Sequence, residues 1–349
     1  MSSLQTAVET VLVRAALALP EPVQRTLLRR PVVIDGLTLS SEIQLMLKLQ
    51  QLAKLPALGM EPLPQARATM AKQTEMIGGS QPIGALREIT VDGADGPLPA
   101  RLYIPSSRFG AEPVPTLLFL HGGGHALGSV DTHDAACRHL AELSGVQVLS
   151  LEYRLSPEHP FPAGVDDCFA AYRWLVANTA QLNADPERLA IGGDSAGGNL
   201  AATTAIQAAE AGLPVAFQLL IYPVTDFANR STSRKLFDGG GFILEKPGMD
   251  KLHRWYLPDA GQDAAPLASV LLRTSFPAGL APAYVVTAGF DPLRDEGEAY
   301  AALLASHGVR VESKRYSSMV HGFFNIVGAG REAVSYNREI AAVLKASLA

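Results

Sequence analysis

Cysteine is nearly missing from this chain. Cys137 and Cys168 are the only two in 349 residues, and both fall in segments that read as helices. Two thiols so placed give neither a disulfide framework nor a metal-ligand spacing. They read as small, buried apolar side chains. The eight histidines do not cluster with cysteines or carboxylates at ligand spacing, so no metal is expected. Charge is sparse as well: 18% of residues are charged, the net charge is −5, and there is no basic run. Nucleic acid is therefore not an expected partner. No stretch approaches 18 uninterrupted apolar residues, so no transmembrane segment is expected. Residues 1–4 carry no basic side chain, and Glu9 and Arg14 break the apolar stretch that follows, so no secretory signal is expected either. Nucleotide loops are missing too. Gly122 and Gly124 would need a third glycine at position 127, which is Leu127, and no G-K-[ST] occurs.

What the chain does have is apolar substance. Hydrophobic residues make up 48%, enough for one large α/β domain with a smaller accessory region. The most informative stretch is Gly193-Asp194-Ser195-Ala196-Gly197, a G-x-S-x-G pattern. It follows the apolar run 189–191, which reads as a buried strand, and precedes 199–206, which reads as a helix. Strand, sharp turn and helix are the context of a nucleophile elbow. There the serine hydroxyl stands exposed at a strand end, and the glycines let strand and helix approach closely.

Three further pieces fit the same chemistry. An apolar run from 115 to 120 ends in His121-Gly122-Gly123-Gly124, where glycines free backbone N–H groups to face a developing oxyanion. Residues 283–290 read as a strand with Asp291 at its C-terminal end. Residues 309–316 alternate like a strand, and His321 follows a short loop. The order Ser195, Asp291, His321, all at carboxyl ends of strands, is that of α/β-hydrolases. Asp295 and Glu296 are the rival carboxylates for the role of Asp291.

Together these motifs resemble the hormone-sensitive-lipase-like esterases, bacterial family IV, in the Gly-Asp-Ser-Ala-Gly branch. The matching pieces are 121–124, 153–163, 192–199, 291–296 and 321–323, covering the chain from about residue 85 onward. The resemblance implies an α/β-hydrolase fold, a mostly parallel central sheet flanked by helices, with a helical cap from the N-terminus and an internal insertion. By position, Ser195 resembles the nucleophile, Asp291 the acid and His321 the base. The N–H groups of Gly123, Gly124 and Ala196 resemble the oxyanion hole. The implied activity is hydrolysis of small-molecule carboxylic esters with short to medium acyl chains, without a cofactor. A cytoplasmic enzyme, paired as a homodimer through the last strand near 309–316, is also implied.

The chain divides accordingly. Residues 1–84 read as the helical cap and 85–349 as the catalytic domain. In the cap, Leu4, Val8, Val11, Leu12 and Ala15 recur at helical spacing. Residues 40–49 are a second helix, and 62–76 hold a third. Residues 86–104 read as a β-meander with turns at Asp92-Gly93 and Asp95-Gly96. The connection 226–276 interrupts the strand–helix alternation and reads as a second part of the cap, with a helical stripe of Met249, Leu252, Trp255 and Tyr256. His125, Asp194, Phe242 and Leu244 are the residues expected to contact substrate. Pro157, Pro160 and Pro162 stiffen a structural loop below the elbow.

Overall fold

Eight strands form one sheet, its centre from apolar runs and its two edge strands from segments that alternate apolar with polar residues. The strands are β1 (Ala85–Gly93), β2 (Gly96–Ile104), β3 (Val114–Leu120), β4 (Gln147–Leu151), β5 (Ala184–Asp194), β6 (Phe217–Ile221), β7 (Ala283–Phe290) and β8 (Val311–Val320). The computed structural model describes residues 3–108, 110, 113–228 and 231–349. Every residue of β3, β4, β6 and β7 is buried, as expected of parallel strands covered on both faces. The spatial order is β8-β7-β6-β5-β3-β4-β2-β1. Pairing is parallel from β8 through β4 and antiparallel at the β4-β2 and β2-β1 edge.

Two cores lie on the two faces. One joins Phe119, Phe290, Phe323 and Phe324 to the helix Glu332–Ser347. The other joins Leu118, Leu149, Ile191 and Val285 to the helices Ala163–Ala177 and Ala196–Glu210. Cys137 and Cys168 are buried, one in each core. Residues 86–104 form a single hairpin closed between Gly93 and Gly96, so Asp92-Gly93 lies within a strand rather than at a turn. The antiparallel sheet gains its third strand from β4, far along the sequence.

The N-terminal region is helical at Ser3–Ala18, Glu21–Leu28, Ser41–Leu52 and Leu63–Gly78. The described part of its apolar stripe, Val11, Leu12 and Ala15, faces away from the fold. Val11 is 65% and Leu12 63% exposed, and Ala15 is exposed as well. The buried side of the first helix instead carries Leu17, with Val13 packed beside it. Polar ties set this rotation: Arg14 Nε donates to the Met76 carbonyl at 2.8 Å, and Lys72 pairs with Glu9 at 2.6 Å. The side chains of Leu4 and Val8 lie outside the described residues. Leu17, Ile43, Met46 and Leu47 all join the larger core, so this region is built into the fold.

Candidate active site

The sheet register decides which loops meet. Leu120 pairs with Gly193 across β3 and β5, so His121 and Asp194 leave the sheet side by side. Val320 pairs with Phe290 across β8 and β7, so His321 and Asp291 do the same. Both pairs emerge at carboxyl ends, where open α/β sheets place their ligands.

Ser195 sits at φ 57°, ψ −119°, a region that costs of order 1–3 kcal/mol and persists only when neighbours enforce it. Here they do. The Ser195 N–H donates to the Ile221 carbonyl at 2.8 Å, and its carbonyl accepts from Asn199 and Val224. Gly197 is obligatory for the turn: a Cβ there would stand 1.8 Å from the Leu120 carbonyl oxygen. Helix and strand cannot come this close with any side chain between them.

Ser195 Oγ lies 2.8 Å from His321 Nε2, and His321 Nδ1 lies 2.8 Å from Asp291 Oδ2. A carboxylate only accepts, so Nδ1 carries the proton and Nε2 is free to accept from the hydroxyl. Asp291 is fully buried, and its other oxygen accepts from the Leu293 N–H. The Tyr222 ring packs against His321, 4.6 Å between centroids. The rival carboxylates are engaged elsewhere. Glu296 pairs with Arg234 at 2.7 Å, and Asp295 with Arg294 at 2.9 Å.

The glycine loop is held from several sides. His121 Nδ1 donates to the Gly122 carbonyl, and Tyr153 Oη donates to the His121 carbonyl. The Gly122 N–H donates to Asp194 Oδ1 at 2.8 Å. His133 Nε2 lies 3.1 Å from the same oxygen. Burial alone would raise the Asp194 pKa. The attraction and hydrogen bond of His133, with the Gly122 N–H, outweigh burial and hold the carboxyl below its usual range. Burial pushes His121 down to about 3, with repulsion from His133 adding to it, and pushes His125 down to about 3 as well.

A cavity of about 50 Å³ adjoins Ser195. Gly124, His125 and Leu244 line it, with Leu58, Phe227 and Leu252. The His125 ring stacks on Tyr256 at 3.7 Å and 7°. Two of the residues expected to contact substrate, Asp194 and Phe242, do not line this cavity. Asp194 turns its carboxylate to Gly122 and His133, because the β3–β5 register puts it beside the glycine loop. Phe242 packs against Phe237 and Phe290 beyond the wall of this cavity. Sequence reasoning missed His133 and Arg234. Neither stands in a recognisable motif, and both meet their partners only through the fold.

A profile of the family with an alpha/beta hydrolase fold matches residues 117–325. The chain belongs to this family. The carboxylic ester hydrolase LipN of Mycobacterium tuberculosis is 41% identical over 339 residues, 95% of this chain and 89% of that protein. Carboxylesterase NlhH of the same organism is 41% identical over 269 residues, 75% of this chain and 82% of its own length. Among solved structures, the hyperthermophilic esterase from the archaeon Pyrobaculum calidifontis matches with a TM-score of 0.83 at 38% identity, covering 88% of this chain and 98% of that one. Within the superfamily, this α/β-hydrolase stands with the hormone-sensitive-lipase-like esterases of family IV.

Proposed function

We propose that this carboxylic ester hydrolase is a serine esterase for short- to medium-chain esters, working through an acyl-enzyme. The observation that carries the reading is the relay of 2.8 Å contacts from Ser195 through His321 to Asp291. As Oγ attacks the ester carbonyl, His321 Nε2 takes its proton, and Asp291 holds the imidazole orientation and stabilises the imidazolium. The carbonyl oxygen becomes an oxyanion. The N–H groups of Gly123, Gly124 and Ala196 receive it, on a loop that Asp194 and His121 immobilise. His321 then gives its proton to the leaving alkoxide, and the alcohol departs. Water, deprotonated by the same histidine, attacks the acyl-enzyme and releases acid and free serine.

The small cavity beside Ser195 supports a preference for short arms. His125 and Leu244 act as its substrate-facing walls. Residues 1–84 and 226–276 serve together as the cap, a reading supported by Leu58, Leu244 and Leu252 in that wall. We also infer a cytoplasmic enzyme that pairs through β8, whose position at the sheet edge leaves one side for a second copy. Sedimentation of the purified protein tests the pairing. The activity is tested with p-nitrophenyl acetate through hexanoate. Turnover by the native chain and its loss in Ser195→Ala is the expected result; equal turnover by both would overturn the reading.

A further inference from the structure

A second cavity, of about 220 Å³, lies next to the one at Ser195. It sits between the helix Ser41–Leu52 and the loop before the helix Lys246–Tyr256, where Leu47, Gln50, Phe242 and Ile243 line it. Leu58 lines both cavities. It also belongs to both small apolar clusters at this end of the fold, one holding Phe227 and Leu244, the other Ala126 and Leu252. The half-buried Leu58 thus borders both the reaction site and a larger space walled by both parts of the cap.

The backbone beneath this side chain is fixed independently of it. The Leu58 N–H donates to the Ile243 carbonyl at 3.2 Å. Its carbonyl oxygen lies against Gly248, where a Cβ would come within 2.0 Å. Shortening the side chain therefore opens a passage while the main-chain anchors stay in place.

We propose that Leu58 is the specificity-determining partition of this enzyme, closing the Ser195 pocket against a second chamber that would accept the distal part of a longer acyl chain. The inference rests on the esterase reading above. A methylene buried against fully apolar walls gains up to roughly fourfold in kcat/KM. Gln50, Gln51, Gln73 and Glu245 line this chamber among its apolar residues, so the gain per methylene stays well below that ceiling.

The test is a p-nitrophenyl ester series from acetate to dodecanoate on the native chain, Leu58→Ala, Leu58→Val and the double variant Leu58→Ala/Gln73→Trp, with circular dichroism as the folding check. The ratio of kcat/KM for decanoate over butyrate should rise tenfold or more in Leu58→Ala and less, with the same sign, in Leu58→Val. The tryptophan, which refills the chamber, should bring the ratio back toward the native value. An unchanged ratio in whichever folded Leu58 variant turns over butyrate overturns the proposal, as does a raised ratio that survives Gln73→Trp. A native chain that turns over none of the series marks the different failure, that of the esterase reading.

Discussion

The Gly122 N–H donates to the Asp194 carboxylate, joining the residue before Ser195 to the loop across from it. Gly122 has no room for a side chain here, since a Cβ would lie 2.7 Å from Asp194 Oδ2. The elbow and the glycine loop are therefore one mechanical unit, and His133 holds the buried charge in place at 3.1 Å.

Asp194→Asn should loosen that unit. It keeps the shape and removes the charge that anchors the Gly122 N–H and His133. The expected outcome is a fall in kcat of about 10²-fold, the scale of losing one oxyanion donor, with KM little changed. Steady-state kinetics on p-nitrophenyl butyrate checks this. A rise in KM at unaltered kcat would make Asp194 a substrate contact after all.

Ser195→Ala, Asp291→Asn and His321→Ala should each lower kcat by roughly 10⁴-fold or more, and combining them should add little, because the three act as a unit. Asp295→Asn should fall far short of this, its carboxylate being bound to Arg294. If Asp295→Asn matched Asp291→Asn while both stayed folded, the acid would have to be reassigned.

Acid should destabilise the fold through its buried histidines. His121 and His125 are held at about 3, against ~6.5 for a free histidine. Between these values the unfolded chain binds the protons and the native chain does not, so stability is full above about 6.5 and drains away as pH falls toward about 3. His125→Phe keeps the stack on Tyr256 and removes one such site. Calorimetry from pH 4 to 7 should show a pH slope shallower by up to about 1.4 kcal/mol per pH unit. Identical slopes in both proteins would refute the assignment.

Deleting residues 1–62 should cost the fold rather than merely widen the pocket. The deletion removes Leu17, Ile43, Met46 and Leu47 from the larger core, exposing its apolar partners. A lowered Tm and aggregation are expected. A truncated chain that melts at the native temperature would show that the first helices are dispensable.

The placement of Ser195, Asp291 and His321 is legible in the sequence because each follows a segment with a strand pattern, a short apolar run before Ser195, a long one before Asp291 and an alternating one before His321. Such segments become parallel strands, and their carboxyl ends converge whatever the details of packing. Ser195, Asp291 and His321 needed only that rule. The roles of Asp194 and Phe242 depended on more. Asp194 is turned by a register that aligns Gly193 with Leu120, and Phe242 packs on the nearby Phe237 and the distant Phe290. The first helix shows a third limit. Its apolar stripe at Val11, Leu12 and Ala15 obeys helical periodicity, yet ion pairs and carbonyl contacts of Glu9 and Arg14 set its rotation. Periodicity predicts that a face exists, not which face is buried.

An activated Ser195 should react with an organophosphate: the enzyme is incubated with diethyl p-nitrophenyl phosphate and its intact mass is read, followed by peptide mapping. One diethylphosphoryl group per chain, located on Ser195 and rising in step with loss of activity, is the predicted result. Full inactivation with the group on another residue, or full activity in a chain quantitatively modified at Ser195, would contradict the account.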